Sequence, residues 1–303
     1  MSVPKKHHYV PEFYLKRWAG EDRKVSDFRR FDGRLVHRRR FPSETGFEIE
    51  LYSIRTHTDP QRRQIIEKGL MSRVDNGASR ALEYMEETGN PPGDSEHRNA
   101  WTRYLLSLIY RSPMQVERLR QKIAANRDEV LDNVAHRYAD LRGETDPDTF
   151  EEYLAKDDGR IEEESLLPLM RNVINSEKVG TALIRMTWGI MQFKLLTHGF
   201  LTCDIPIMLS DGLGHRDSFV MLPISPSAVF IAAARKQVID SFASQNATVL
   251  ERALNIAIVQ QARQVVISRD EAQRRFIDNR FLRSPPPTGE LGLHTWKHPL
   301  VDP

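Results

Sequence analysis

FVMLPISPSAVFIAA, residues 219–233, is the stretch on which the reading of the fold turns. β-branched and aromatic residues crowd it and prolines punctuate it, the mark of strands rather than helix. Its longest apolar run, Ala228–Ala234, falls far short of the roughly 20 residues a membrane helix needs, so no membrane span is expected. A stretch of the same character, FLTCDIPIML at residues 200–209, precedes it across a loop holding Gly212 and Gly214. Strands are therefore expected over Phe200–Leu209 and Phe219–Ala233.

Upstream of His198-Gly199 the pattern is helical. Asp59-Pro60 pairs a cap with a first-turn proline. Behind it Ile66, Leu70, Val74, Ala78, Ala81, Leu82 and Met85 form one apolar stripe. Gly89-Asn90-Pro91-Pro92-Gly93 ends that helix. Ser95 is expected to cap the next, in which Trp101, Tyr104, Leu105, Leu108 and Ile109 share a face, and Pro113 to kink or end it. A charged helix then runs to about Leu141, Asp146-Pro147 opens a short helix, and a helical region spans roughly Glu162–Leu196. At the N-terminus, residues 5–51 are expected to be extended. There Val25–Phe31 and Arg34–Phe41 flank the hairpin turn Asp32-Gly33, and Leu51–Ile54 adds a further short strand. Downstream come a helix carrying Leu250, Leu254 and Ile258, a buried strand Val265–Ile267, a last helix capped by Asp270, and an irregular tail docked by Trp296.

The order is strands, helices, then strands mixed with helices. It implies an α+β fold, predominantly helical, whose small β component comes from the N-terminal arm and hairpin together with the C-terminal strands. A single domain over residues 1–283 is expected, with 58–197 as a helical insert between two β regions and 284–303 as the tail. Length alone leaves one domain or two open. With 44 basic and 42 acidic side chains the net charge is only +2, so any nucleic-acid contact needs a local patch. One cysteine, Cys203, rules out an internal disulfide and a multi-cysteine zinc site. The N-terminus lacks the apolar core of a secretory signal, and a cytoplasmic location is expected. Walker, GxGxxG, HExxH, CxxC and GxSxG patterns are all absent, which removes common nucleotide-binding and protease readings.

The opening segment His7-His8-Tyr9-Val10-Pro11-Glu12-Phe13-Tyr14-Leu15-Lys16-Arg17-Trp18 resembles a bacterial family of unknown function whose members begin HHYVPxFYLxxF/W. Further resemblances lie in Ile66-Glu67, in Arg111-Ser112-Pro113, in Phe200–Pro206 against F-[IL]-T-S-D-x-P, in Pro223–Pro226 against PLSP, and in Asn255. Together they span about Lys5–Ile267. Glu12 stands where the family has Gln, and Cys203 where it has Ser. The resemblance implies membership and no mechanism.

Several residues are candidates for chemistry. His8 is one, as a metal ligand or acid–base group; adjacent strand residues face opposite ways, so His7 and His8 cannot both serve one site. The competing reading is that this aromatic segment simply packs. Asp204, ending an apolar strand before Pro206, suits a metal ligand or general base, and equally a turn cap. Glu67 and Arg111 are either a helix–helix ion pair or a metal ligand and a phosphate-binding group. Strand parity places Cys203 among apolar neighbours, which argues against a thiol nucleophile. Arg38, Arg39 and Arg40, with Arg34, His37 and, on the partner strand, Arg29 and Arg30, form a basic hairpin that either tracks a nucleic-acid backbone or defends a sheet edge. Two functional expectations follow. The first is a metal-dependent phosphodiester hydrolase, nuclease-like, with a divalent cation on His8, Glu67 and Asp204 and phosphate on Arg111 and the hairpin arginines. The alternative is a non-catalytic binding or regulatory module whose helical region is a partner surface. Oligomeric state leaves no trace in the sequence.

Overall fold

In the computed structural model residues 5–56, 59–143, 146–157, 159–210 and 212–283 are described; the tail 284–303, Trp296 included, lies outside them. Two ends of the chain meet in one sheet. Strands β2 (Val25–Phe31) and β3 (Arg34–Arg40) pair throughout across Asp32-Gly33, where both residues take positive φ (48° and 75°) as a tight hairpin turn demands. β2 then pairs antiparallel with β10 (Val266–Ser268), Phe28 opposite Val266, and β10 pairs with β6 (Thr202–Cys203), Val266 opposite Cys203. A second sheet has the order β5 (Thr187–Gln192), β9 (Ala228–Ala233), β8 (Phe219–Ser225), β7 (Met208–Leu209). All of β9 and nearly all of β8 are buried, which explains their unbroken apolar sequence. The third sheet is a two-stranded ladder of β1 (Lys6–His8) with β4 (Phe47–Ile49).

The fold is α+β and predominantly helical. A short helix α1 (Glu12–Leu15) and a 3₁₀ turn (Lys16–Trp18) interrupt the N-terminal segment expected to be extended. They let Tyr14 and Trp18 reach inward. The Tyr14 hydroxyl meets Thr202 Oγ1 at 2.9 Å and donates to the Pro223 carbonyl at 2.6 Å, while Trp18 Nε1 donates to the Phe200 carbonyl at 2.8 Å. Aromatic bodies bury apolar area while their polar tips find partners, so this docking fastens the arm to the β6 segment.

Helix α2 (Pro60–Arg63) is capped by Asp59 and leads through a π-helical turn (Ile66–Met71) into α3 (Ser72–Thr88), which Gly89 closes at φ 66°. The stripe Ile66, Leu70, Val74, Ala78 advances in steps of four, wider than 3.6, and the π turn absorbs the surplus at its start. α4 (Ser95–Tyr110) is capped by Asp94, which accepts from His97 N, with Ser95 already its first residue. Pro113 opens α5 (Pro113–Ala125), followed by α6 (Arg127–Ala135) and α7 (Tyr138–Leu141). α8 (Phe150–Leu154) starts from a Thr149 cap, three residues beyond the expected Asp146-Pro147. The region expected to be helical to Leu196 stops earlier: α9 (Arg160–Ile174) and α10 (Glu177–Arg185) give way to β5. Thr187, Trp188 and Ile190 are strand formers, and at Gly189 an added Cβ would lie 3.3 Å from Ile239 and 3.4 Å from Ile231, so glycine permits that close packing. Leu51–Ile54 forms turns around a buried Tyr52 rather than a strand. α11 (Lys236–Ala243) and α12 (Ala247–Gln261) follow β9, and α13 (Arg274–Asp278) begins four residues after Asp270.

Candidate active site

β1 alternates: His7 is fully buried, while His8 faces the other way and is only half-buried. Tyr52 N–H donates to His7 Nδ1 at 2.9 Å, so Nδ1 is an acceptor and Nε2 carries the proton it shares with Gln64 Oε1. The ring also stacks on Tyr52, 5.4 Å between centroids. His7 is thus a neutral structural histidine, and Gln64, itself donating to Ser53, is a partner that no local sequence pattern marks.

His8 belongs to a different environment. Its ring lies against Phe47 and its Nε2 is buried without a hydrogen-bond partner. Burial, then the nearby Arg111 charge, holds its pKa below the ordinary histidine value, so it is neutral at pH 7. The Arg111 guanidinium is fully buried. It donates from Nη1 and Nη2 to the two Asp75 oxygens at 2.7 and 3.1 Å, and from Nη2 to the His8 carbonyl at 2.7 Å, while its own carbonyl accepts from Tyr52 OH. Its Nε remains buried without a partner.

Glu67 stands on the π-helical turn, a geometry often found at functional sites. Burial pushes its carboxyl up to about 7 and the Asp75 charge adds to this, while Arg111 opposes it. Its Oε2 is buried without a partner. Asp75 lies eight residues from Glu67, about two turns along the same face, which is the one signal by which the sequence could have revealed it. Tyr104 OH and Ser112 Oγ, on α4 and at the cap of α5, are also buried and unpartnered. His8 and Glu67 therefore each feel the charges of Arg111 and Asp75, with the buried guanidinium at the centre and His8, Glu67 and Asp75 partly open to solvent.

Asp204 does not join them. It is 2% exposed, and its carboxylate accepts the backbone N–H of Arg263 at 3.0 Å and of Val265 at 3.3 Å. That is a loop cap: it fixes the turn between α12 and β10, and burial raises its pKa despite these bonds. Among the described residues no group of three or more His, Cys, Asp or Glu side chains could hold a metal ion, so the expected set His8, Glu67 and Asp204 is not a ligand set. Cys203 is buried and its thiol pushed well up by that burial.

The hairpin arginines are mostly committed. Arg29 pairs with Asp27, Arg30 with Asp278, and Arg39 with Asp22, Ser26 and the Arg269 carbonyl. Arg40 lies 3.8 Å from Asp27, leaving Arg34 and Arg38 as exposed charges without an ion pair among the described residues. Asn255 is structural: it accepts from Leu201 N and donates to the Gly199 carbonyl and Gln273. Beside it the Glu251 carboxylate accepts from Thr197, His198 and Gly199 N–H.

A family model described as a protein of unknown function (DUF4238) matches residues 6–272. No curated protein matches the chain, and no solved structure does.

Proposed function

The chain belongs to that family of unknown function, and from the chemistry of its site we propose that it is a phosphodiester hydrolase working by acid–base catalysis at His8 and Glu67. One observation carries the reading: a carboxyl group poised at about 7 and a neutral imidazole each leave an unpartnered polar atom beside one buried guanidinium. Such atoms destabilise the fold unless a ligand meets them. A ribose phosphodiester suits the pair without a ligand set for a metal. His8 Nε2 takes the proton of the 2′-hydroxyl, the resulting oxygen attacks phosphorus, and protonated Glu67 gives its proton to the departing 5′-oxygen, leaving a 2′,3′-cyclic phosphate. Hydrolysis is completed with the roles reversed: the Glu67 carboxylate takes a proton from water as its oxygen attacks phosphorus, and protonated His8 returns its proton to the departing 2′-oxygen, leaving a 3′-phosphate. The Arg111 Nε–H is the donor offered to a phosphate oxygen, and the Asp75 pair holds the guanidinium in place.

The test is cleavage of single-stranded RNA, double-stranded RNA and DNA by the purified protein, in EDTA and with Mg²⁺, Mn²⁺ or Zn²⁺ in turn. RNA should be cut in EDTA, a single 2′-deoxy substitution at the scissile position should block the cut, and Glu67→Gln and His8→Ala should each lose about 10²–10⁴-fold in rate. Cleavage that survives both substitutions would assign the chemistry elsewhere. No cleavage of any substrate would leave the cluster as part of a non-catalytic binding module.

A further inference from the structure

Helix α9, the segments from α6 to α8, and Ile54, Arg62 and Ile65 line a cavity of about 550 Å³, in the range of small-molecule sites, and neither His8 nor Glu67 is in its wall. Its wall is aromatic and aliphatic. The rings of Tyr138 and Tyr153 lie 5.2 Å apart at 52°, beside Val134, Ile161 and Leu167. Two further apolar side chains that line it, Ile65 and Leu141, are 41% and 54% exposed. Large apolar groups left in water around a concavity are what a ligand would cover.

The charges in the wall are unequal in kind. Arg160 is held in place, stacked over Tyr153 at 5.3 Å, with its Nε donating to Glu164 at 2.7 Å and its Nη1 3.7 Å from Asp146. The two carboxylates of the wall are therefore already matched. Among the described residues Arg142 pairs with Asp148, which is 91% exposed, and a surface pair of that sort holds its partner weakly. Arg62, on α2, is exposed and makes no ion pair among the described residues. We propose that this cavity binds a small amphipathic organic anion, its aromatic or aliphatic body between the tyrosines and its carboxylate, sulfonate or phosphate head at Arg62 and Arg142. Desolvating an apolar body supplies the affinity, and Arg62 together with the weakly held Arg142 supplies the sign of the charge.

The experiment titrates 8-anilinonaphthalene-1-sulfonate, an aromatic anion, into the full-length protein and follows its fluorescence. One saturable site per chain is expected, displaced by decanoate and 2-naphthoate and not by decyltrimethylammonium. Arg62→Glu replaces an attraction by a repulsion at an exposed position and should weaken binding roughly tenfold at low salt. Ser165→Phe projects a ring into the cavity and should abolish the site, with circular dichroism melts confirming that both variants fold. If Ser165→Phe does not fold, calorimetric titration of decanoate into wild type and Arg62→Glu decides. Absence of saturable binding, equal displacement by the cationic amphiphile, or an affinity unmoved by Arg62→Glu would overturn the proposal.

Discussion

Glu67 shows how one side chain couples function to stability. Its folded pKa of about 7 lies above the ordinary 4.5, so the unfolded chain releases this proton first. Stability is complete below pH 4.5, declines as pH rises, and reaches its minimum contribution above pH 7; the total is on the order of 3 kcal/mol. Glu67→Gln should remove that decline, so denaturant titrations at pH 8 should find the variant more stable than wild type and those at pH 4 should find the two alike. The same two groups set the expected pH–rate profile. Activity needs neutral His8 and protonated Glu67, so kcat/KM should peak below pH 7 and fall on either side. Asp204 behaves differently. Asp204→Ala strands the backbone N–H groups of Arg263 and Val265 and should cost about 1–3 kcal/mol in urea titrations, leaving the rate of any reaction at the His8 cluster unchanged. His8 and Glu67 were legible as candidates from residue type alone. Asp204 is equally visible, and only the three-dimensional position of the turn between α12 and β10 shows that its oxygens are already taken.

At the scale of elements, the connection from β5 to β6 depends on a glycine. Gly199 has φ 84°, and a Cβ added there would lie 2.8 Å from the Pro226 carbonyl oxygen. Gly199→Ala should therefore lower stability by roughly 2 kcal/mol or more, combining the left-handed penalty with the clash; a thermal melt monitored at 222 nm measures it. The π-helical turn at Ile66–Met71 was hidden in a stripe that looked like an ordinary helix, because a periodicity read over few turns does not distinguish 3.6 from 4 residues. β5 escapes a sequence reading for the opposite reason. A six-residue strand next to a long helical pattern offers too little alternation to stand out, and its pairing with β9 supplies most of its stability.

For the whole molecule, the central fact is that β10 joins the N-terminal hairpin to β6. A chain ended after Ala262 loses that strand and leaves the backbone of Ser26, Asp27 and Phe28 without its partner on one side. Such a truncation should show no cooperative unfolding transition in denaturant, whereas the amides of Val266–Ser268 in the full chain should be among the slowest to exchange with D₂O. What the sequence by itself determined was local: the hairpin turn at Asp32-Gly33, the helix ends at Gly89 and Pro113, the buried faces of α3 and α4, and the apolar strands β8 and β9. Each follows from φ restrictions or from periodicity, which act over a few residues. The tertiary structure alone decided the long-range facts: that Arg111 pairs with Asp75 instead of Glu67, that Glu67 is left with an unpartnered oxygen and a near-neutral pKa, and that Asp204 stands outside the cluster. Those outcomes depend on which surfaces are desolvated together by residues scores of positions apart, and no local pattern encodes that desolvation.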